Sequence, residues 1–427
     1  MLQAMLLLPA YALFPPLVRG TERRVIHAGP RDYRSRLRDL APGDHLVLRA
    51  GVYERGLPLH RLQGTATRPI TVSGPVSGEP AVFRARRGAN TVSLLDVSHL
   101  EVSNLELTGD GVPVDAVKAE GHAAYAHYVT LSNLHITGHG ASRQNVGIST
   151  KCPAYGWRIL DNRIEGAGTG MYLGDSDGSA PFVGGLIEGN RMEDTVGYNL
   201  QIKHQNARPA DGALPSGPSR TIIRKNRFRK SSPTGASGGA RPNLLVGHWP
   251  PEGPGADDIY LIYGNVFYSN PVERLFQGEG NLAFYNNLLV NPAGDGLAIQ
   301  PHNDIPRRVW IFHNTIIATG TGLTIHAVPG TEVLAITGNA VFAETPFRGV
   351  EPTGDNLFVP VARAEAYLKQ PLASYPRLDA RALPGRLRAE QPFDVPPFPD
   401  ANRDLNGALR SVAGYGAYTL SPAVKEQ

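Results

Sequence analysis

Nine asparagines constrain this chain more than any other feature. Asn104, Asn133, Asn162, Asn190, Asn226, Asn265, Asn287, Asn314 and Asn339 recur at intervals of 29, 29, 28, 36, 39, 22, 27 and 25 residues. Each follows a short strand-like run, such as Tyr128-Val-Thr-Leu or Val309-Trp-Ile-Phe, and precedes a second, such as Leu134-His-Ile. Repeats of this length mark stacked units of short strands and turns, and no single unit can bury its apolar face alone. Asparagine tolerates left-handed backbone and bonds its own main chain, so stacked copies are expected to form a ladder inside the turn.

Composition supports a turn-rich, all-β chain: 48 glycines and 36 prolines accompany only 7% aromatic and 19% charged residues. The formal charge of +4 suits an anionic ligand but does not call for nucleic acid. Cys152 is the only cysteine, which excludes an internal disulfide and a cysteine-based zinc site. Residues 1–18 read as a signal segment, apolar from Met1 to Leu17 with Ala10-Tyr11-Ala12, although the first positive charge is Arg19. No later run approaches the ~18 apolar residues of a membrane helix. The expected division is a solenoid with an N-terminal cap over 19–345 and an irregular segment packed on it over 346–427. Helical spacing from Tyr33 to Leu40 supplies the cap.

The third strand of each unit can be aligned on its last apolar residue: Ile148, Leu173, Ile202, Val246, Phe276, Ile299 and Ile325. The outward residues that follow are Ser149, Gly174, Lys203, Gly247, Gln277, Gln300 and His326, with Lys151, Asp175, His204, His248, Glu279 and His302 just beyond. Parallel coils rise about 4.8 Å each, so Lys203 to Gln300 would span about 14 Å, a groove for an extended polymer. Extra length in Gln205–Ser219, with Arg208, in Ser231–Pro242, with Arg241, and after Trp249 is expected to form the rims. The basic run Arg220, Arg224, Lys225, Arg227, Arg229 and Lys230 reads as a solvated strand face, with a secondary anion site as the alternative. Gly166-Ala-Gly-Thr-Gly170 leads into a strand and so carries no dinucleotide role.

The whole pattern resembles the right-handed parallel β-helix of the pectate-lyase-like superfamily. Pro42-Gly43-Asp44 through Tyr53 is similar to the cap and first coil of its alginate lyase and chondroitinase B branch, and Asp400 to Tyr418 is similar to the closing segment of secreted β-helix proteins. The resemblance spans roughly 25–420 and contains no complete catalytic motif of a named enzyme. It implies a secreted or periplasmic monomer acting on an acidic polysaccharide, with a Lys and an Arg sharing the base and acid roles beside a calcium ion. Lys203 matches in type and setting; the partner Arg is not located by motif.

Elimination from a uronic acid needs a cation on the carboxylate, a base for the C5 proton and an acid for the leaving oxygen. The candidate catalytic residues are Lys203, His204, His248 and Arg241. Arg208, Asn243, Trp249, Gln277, Gln300 and His302 are the candidate substrate contacts, the planar guanidinium of Arg208 suiting a carboxylate clamp. Glu279, Asp175 and Asp304 are candidate ligands for Ca2+, and His204, His248 and His302 offer a transition-metal alternative. Three other readings stay open. Glycoside hydrolysis needs a facing carboxylate pair, which the central coils do not supply. C5 epimerisation uses the same proton abstraction, and Pro301-His302-Asn303-Asp304 partly echoes the Asp-Pro-His-Asp motif of mannuronan epimerases. A non-catalytic carbohydrate-binding solenoid would show more stacking aromatics and fewer acids and bases than this wall.

Overall fold

The computed structural model describes residues 23–209, 214–232, 240–326 and 328–420. The segment 1–18 expected as a signal lies outside them, as do parts of both long rim loops. Three ladders of short strands run the length of the molecule, and every pairing within them is parallel. The first ladder passes from Val25–Ala28 through Ala126–Ser132 and Arg220–Arg224 to Val333–Thr337. The second runs from Gly51–Tyr53 through Arg191–Glu193 to Leu357–Pro360. The third includes Val146–Thr150, Thr169–Leu173, Leu200–Ile202, Leu244–Val246, Phe276–Gly278 and Leu297–Ile299.

Each turn of chain contributes one strand to each ladder and buries its inward side chains in a common core, with Ile136, Ile164, Leu200, Ile202, Phe228, Phe267 and Ile311 among those withdrawn from solvent. The five-residue helix Tyr33–Leu37 closes one end, and Tyr33 packs edge-on against Tyr53 and Phe83. The second ladder continues through Leu357–Pro360, past the expected boundary at 345, because Asn356 extends the asparagine stack by one more coil. From Val361 the chain leaves the coils and covers the outside of the second ladder, burying Ala364, Leu368, Ala380 and Leu387 against Leu288, Val290 and Phe342. No helix of the described residues is long and apolar enough to cross a membrane.

The asparagine stack is present, and its register refines the expectation. Asn162, Asn190, Asn226, Asn265, Asn287, Asn314 and Asn339 each give the side-chain amide to the carboxamide oxygen of the next copy at 2.8–3.1 Å. The left-handed residue is the one before: Asp161, Lys225, Asn286 and His313 have φ near 55°. Asn104 and Asn133 occupy that left-handed position (φ 56° and 52°) rather than the ladder itself. Here the bend and the stack are the work of adjacent residues.

Candidate functional site

Strand register decides what shares a row on the third ladder. Ser149 pairs with Tyr172, Tyr172 with Gln201, Gln201 with Leu245, Leu245 with Gln277 and Gln277 with Ala298. Two residues further along each strand, the outward row therefore reads Lys151, Gly174, Lys203, Gly247, Glu279 and Gln300. The alignment on apolar residues slipped by two at two of its members, Ile148 and Phe276. Ile148 is opposite Met171, not Leu173, and Phe276 is opposite Leu244, not Val246. Lys151 thus joins the row of Lys203, and Gln277 leaves it.

Lys203 stands in a notch, with a glycine on each side along the row. Gly174 has φ +89°, and a Cβ there would lie 3.3 Å from Cβ of Lys203. At Gly247 a Cβ would strike the backbone of His204 at 2.4 Å. The neighbouring coils therefore pack closely against the Lys203 backbone and stem, and neither flanking position carries a side chain of its own. Burial lowers the Lys203 ammonium from its usual range, while Asp175 and Glu279 act against that shift.

Lys151 is the residue that sequence alignment underrated. Its ammonium lies 3.4 Å from the centre of the Tyr172 ring and donates to the Gly174 carbonyl at 3.3 Å. Burial, helped by the neighbouring charges of Lys118 and Lys203, brings it down to about 8. Tyr172 in turn contacts Ser176 through its hydroxyl at 3.2 Å, and burial raises the phenol, so it keeps its proton through the neutral range. Lys151, Tyr172 and Lys203 surround the bare backbone of Gly174.

The outward face of the third ladder has two edges. One carries Lys151, Lys203, His204 and Gln300; the other, about 16 Å away along the strand direction, carries Tyr198 and Arg241, whose guanidinium lies 5.8 Å from the Tyr198 ring. Gln201, Leu245 and Gln277 on the floor between keep less than a tenth of their surface exposed. Arg274, also missed, reaches across to donate to Gln300 at 2.9 Å and is held by Glu273 at 2.9 Å. Beneath Arg241, buried Lys230 and Asn270 both donate to its carbonyl at 2.8 Å, so part of the basic run is structural rather than solvated. His204 and His248 stack with centroids 5.3 Å apart; burial lowers His204, and its Nδ1 finds no partner among the described residues. His302 is exposed and out of line with that pair, so the three histidines do not gather.

Several expected contacts belong to the scaffold instead. Arg208 is not a carboxylate clamp for substrate: it is buried, paired with Asp258, and donates to the carbonyls of Pro215 and Gly217. Trp249 is not a stacking platform, because its ring is buried on Tyr260 at 4.2 Å and its indole N–H bonds the Asn281 carbonyl. Asn243 is fully buried, accepting from Asn270 at 2.9 Å in a second amide cluster at the corner before the third ladder.

The expected calcium ligands do not fit a metal. Glu279 is buried and accepts backbone N–H groups of His248, His302, Asn303 and Asp304. Asp175 is bound by Ser179 and the Ala180 N–H, and Asp304 pairs with Arg307 at 3.0 Å. No group of three or more His, Cys, Asp or Glu side chains among the described residues is placed to share an ion. A glutamate with its lone pairs committed to four amides is a loop anchor.

Neither a protein-family model nor a curated protein sequence matches the chain. Solved structures do. XylC, determined in complex with xylose, is similar at a TM-score of 0.56 and 10% identity, with 94% of this chain and 99% of that one covered. Pectate lyase Pel9A is similar at 0.50 and 12% identity, covering 94% and 97%. The chain has the parallel β-helix fold. An alginate lyase from Paenibacillus sp. str. FPU-7 shares 16% identity over 79% of this β-helix and 99% of its own chain, at a TM-score of 0.41. Identities this low speak for the architecture alone.

Proposed function

We propose that this β-helix is a polysaccharide lyase that cleaves an acidic, uronic-acid-containing polysaccharide by β-elimination in the groove along its third ladder. The observation that carries the reading is the pair of lysines facing each other across Gly174. A pair of like groups whose surroundings separate their proton affinities divides naturally into base and electrophile. Lys151, the more buried and the lower of the two, is the base. Lys203, as an ammonium, neutralises the uronate carboxylate, which acidifies the adjacent C5–H.

With the uronate seated over Gly174, the Lys151 amine takes the C5 proton. The C5–H electrons form the C4–C5 double bond, and the C4–O bond breaks with its electrons passing to the leaving oxygen. Tyr172, still protonated, donates to that oxygen. Arg274, Gln277 and Gln300 hold the next sugars on one side, and Arg241 lines the far edge. Calcium, which the resembling lyases use on the carboxylate, has no assembled ligand set here; Lys203 and Arg274 supply positive charge in its place. Hydrolysis is disfavoured because Asp175 and Glu279, the carboxylates at this end of the strands, are committed to loop amides and hydroxyls. Acidic polymers of this kind place the enzyme in the periplasm or outside the cell, where it acts as a monomer.

The test is incubation with alginate, pectate, glucuronan and glycosaminoglycans while following the ultraviolet absorbance of the unsaturated sugar. Elimination gives absorbance together with new reducing ends. Reducing ends without absorbance mean hydrolysis and overturn the proposal, and an altered uronate composition without chain cleavage means epimerisation.

A further inference from the structure

Where the C-terminal segment stops covering the second ladder, its border is a cationic cleft on a different face of the solenoid from the catalytic groove. One cavity of about 630 Å3 is lined by Lys369, Arg377, Arg381, Asp379, Asn406 and Tyr418. A second, of about 320 Å3, shares Asn406 and Tyr418 and continues over the coils to Arg191, Lys225 and Arg227. The shared residues make the two one elongated depression. Arg191 and Arg227 pair in register on successive coils, with Arg163 on the coil before, so the arginines repeat about every 4.8 Å along the ladder.

Six cations line this depression against the single carboxylate of Asp379. Arg381 is matched to Asp379 at 2.6 Å and Lys225 to Glu188 at 3.1 Å. Arg227 bonds the Tyr375 hydroxyl and lies 5.0 Å from that ring, a contact that fixes its direction without cancelling its charge. Arg191, Arg227 and Arg377 have no salt bridge among the described residues, and Lys369 shares the Asp379 carboxylate at longer range with Arg381. Arg191, Lys369 and Arg377 are exposed, so none of them is needed to fill the core.

We infer that this cleft is a second, non-catalytic binding site for an acidic polysaccharide. The chemistry of the lining selects that class. Three cations without a carboxylate partner, with Lys369 sharing Asp379, are spread along the cleft and fit a polymer with about one charge per sugar. Double-stranded DNA carries a charge every ~1.7 Å and asks for a far denser array. The carboxamides of Gln370 and Asn406 and the phenol of Tyr418 add hydrogen-bonding groups suited to hydroxyls between the charges. Uronate and sulfate esters share this recognition chemistry.

The test uses the full chain with Lys151→Met and Lys203→Met, which prevents turnover, titrated calorimetrically with uronic-acid hexasaccharides and, separately, with a sulfated hexasaccharide. In the same background, Arg191→Ser, Lys369→Ser and Arg377→Ser together are expected to weaken the site about tenfold for whichever polymer binds. Hydrogen exchange should show ligand protection over 366–383 and 189–192. Unchanged affinity in the triple variant, or protection confined to the third ladder, overturns the proposal. So does a short DNA duplex that binds this face more tightly than either saccharide. The readout is binding, so it stands whether or not the other groove proves to be a lyase site.

Discussion

Lys151 and Lys203 occupy the same outward row of the third ladder, two coils apart, with only a glycine between them. The arrangement predicts a division of labour. Lys151→Met should remove the base and lower kcat about 10²–10⁴-fold while changing KM little. Lys203→Met should lower kcat and also weaken binding of carboxylated over methyl-esterified substrate. Steady-state kinetics on both polymer forms reads the difference, and equal effects of the two substitutions would remove the assignment.

The same pair predicts a pH profile. Lys151 must be neutral to accept a proton, so the rate should rise with pH through about 8. It should fall again at higher pH as Lys203, whose lowering by burial is opposed by Asp175 and Glu279, loses its charge. In Lys203→Arg, whose guanidinium does not titrate in that range, the upper limb should move to higher pH, where Tyr172 loses its proton, while the lower limb stays.

Arg208 gives a prediction of the opposite kind. Its guanidinium and the Asp258 carboxylate are both withdrawn from solvent, and removing one partner leaves the other charge buried. Arg208→Leu should cost about 3–5 kcal/mol of stability while the folded fraction keeps its kcat. A fully folded variant with a raised KM would restore Arg208 to the substrate groove.

The asparagine ladder should behave as a chain of non-interchangeable links. Asn226 donates to the Ile187 carbonyl at 2.9 Å and accepts from the backbone and side-chain N–H of Asn190. Asn226→Ala strands those groups in the core and should cost about 3 kcal/mol. Asn104→Ala lies outside the ladder and should cost about 1–2 kcal/mol, the strain of a left-handed non-glycine residue, readable by chemical denaturation.

His313 links stability to acid. Burial brings it down to about 3, below an unfolded value near 6.5, so the folded state refuses a proton that the unfolded chain accepts. Its contribution is therefore intact above pH 6.5 and is lost progressively as pH falls from there toward 3. His313 packs edge-on against Phe393 of the C-terminal cover. His313→Leu should flatten the loss of stability between pH 6.5 and 4, measured by thermal unfolding.

The repeat, the all-β coil and the lysine at the end of Leu200–Ile202 are legible in the sequence because each rests on local information: alternation within a strand, turn chemistry and the interval between asparagines. What the sequence cannot carry is the alignment between coils. Thr150 and Gly278 take the inward places that Leu173 and Ile299 hold in their own coils, so apolarity alone misplaces Lys151 and Gln277 by two residues. A two-residue slip keeps side chains on the correct face but moves them along it, and composition gives no warning. Burial is equally non-local: Arg208, Trp249 and Glu279 have the chemistry of a binding site, and only the packing of Asp258, Tyr260 and the 302–304 amides around them turns them into scaffold. Sequence determined the coil and its polar edge; hydrogen-bond register and desolvation, which exist only once coils stack, decided which residues on that edge share a row and which are drawn into the scaffold.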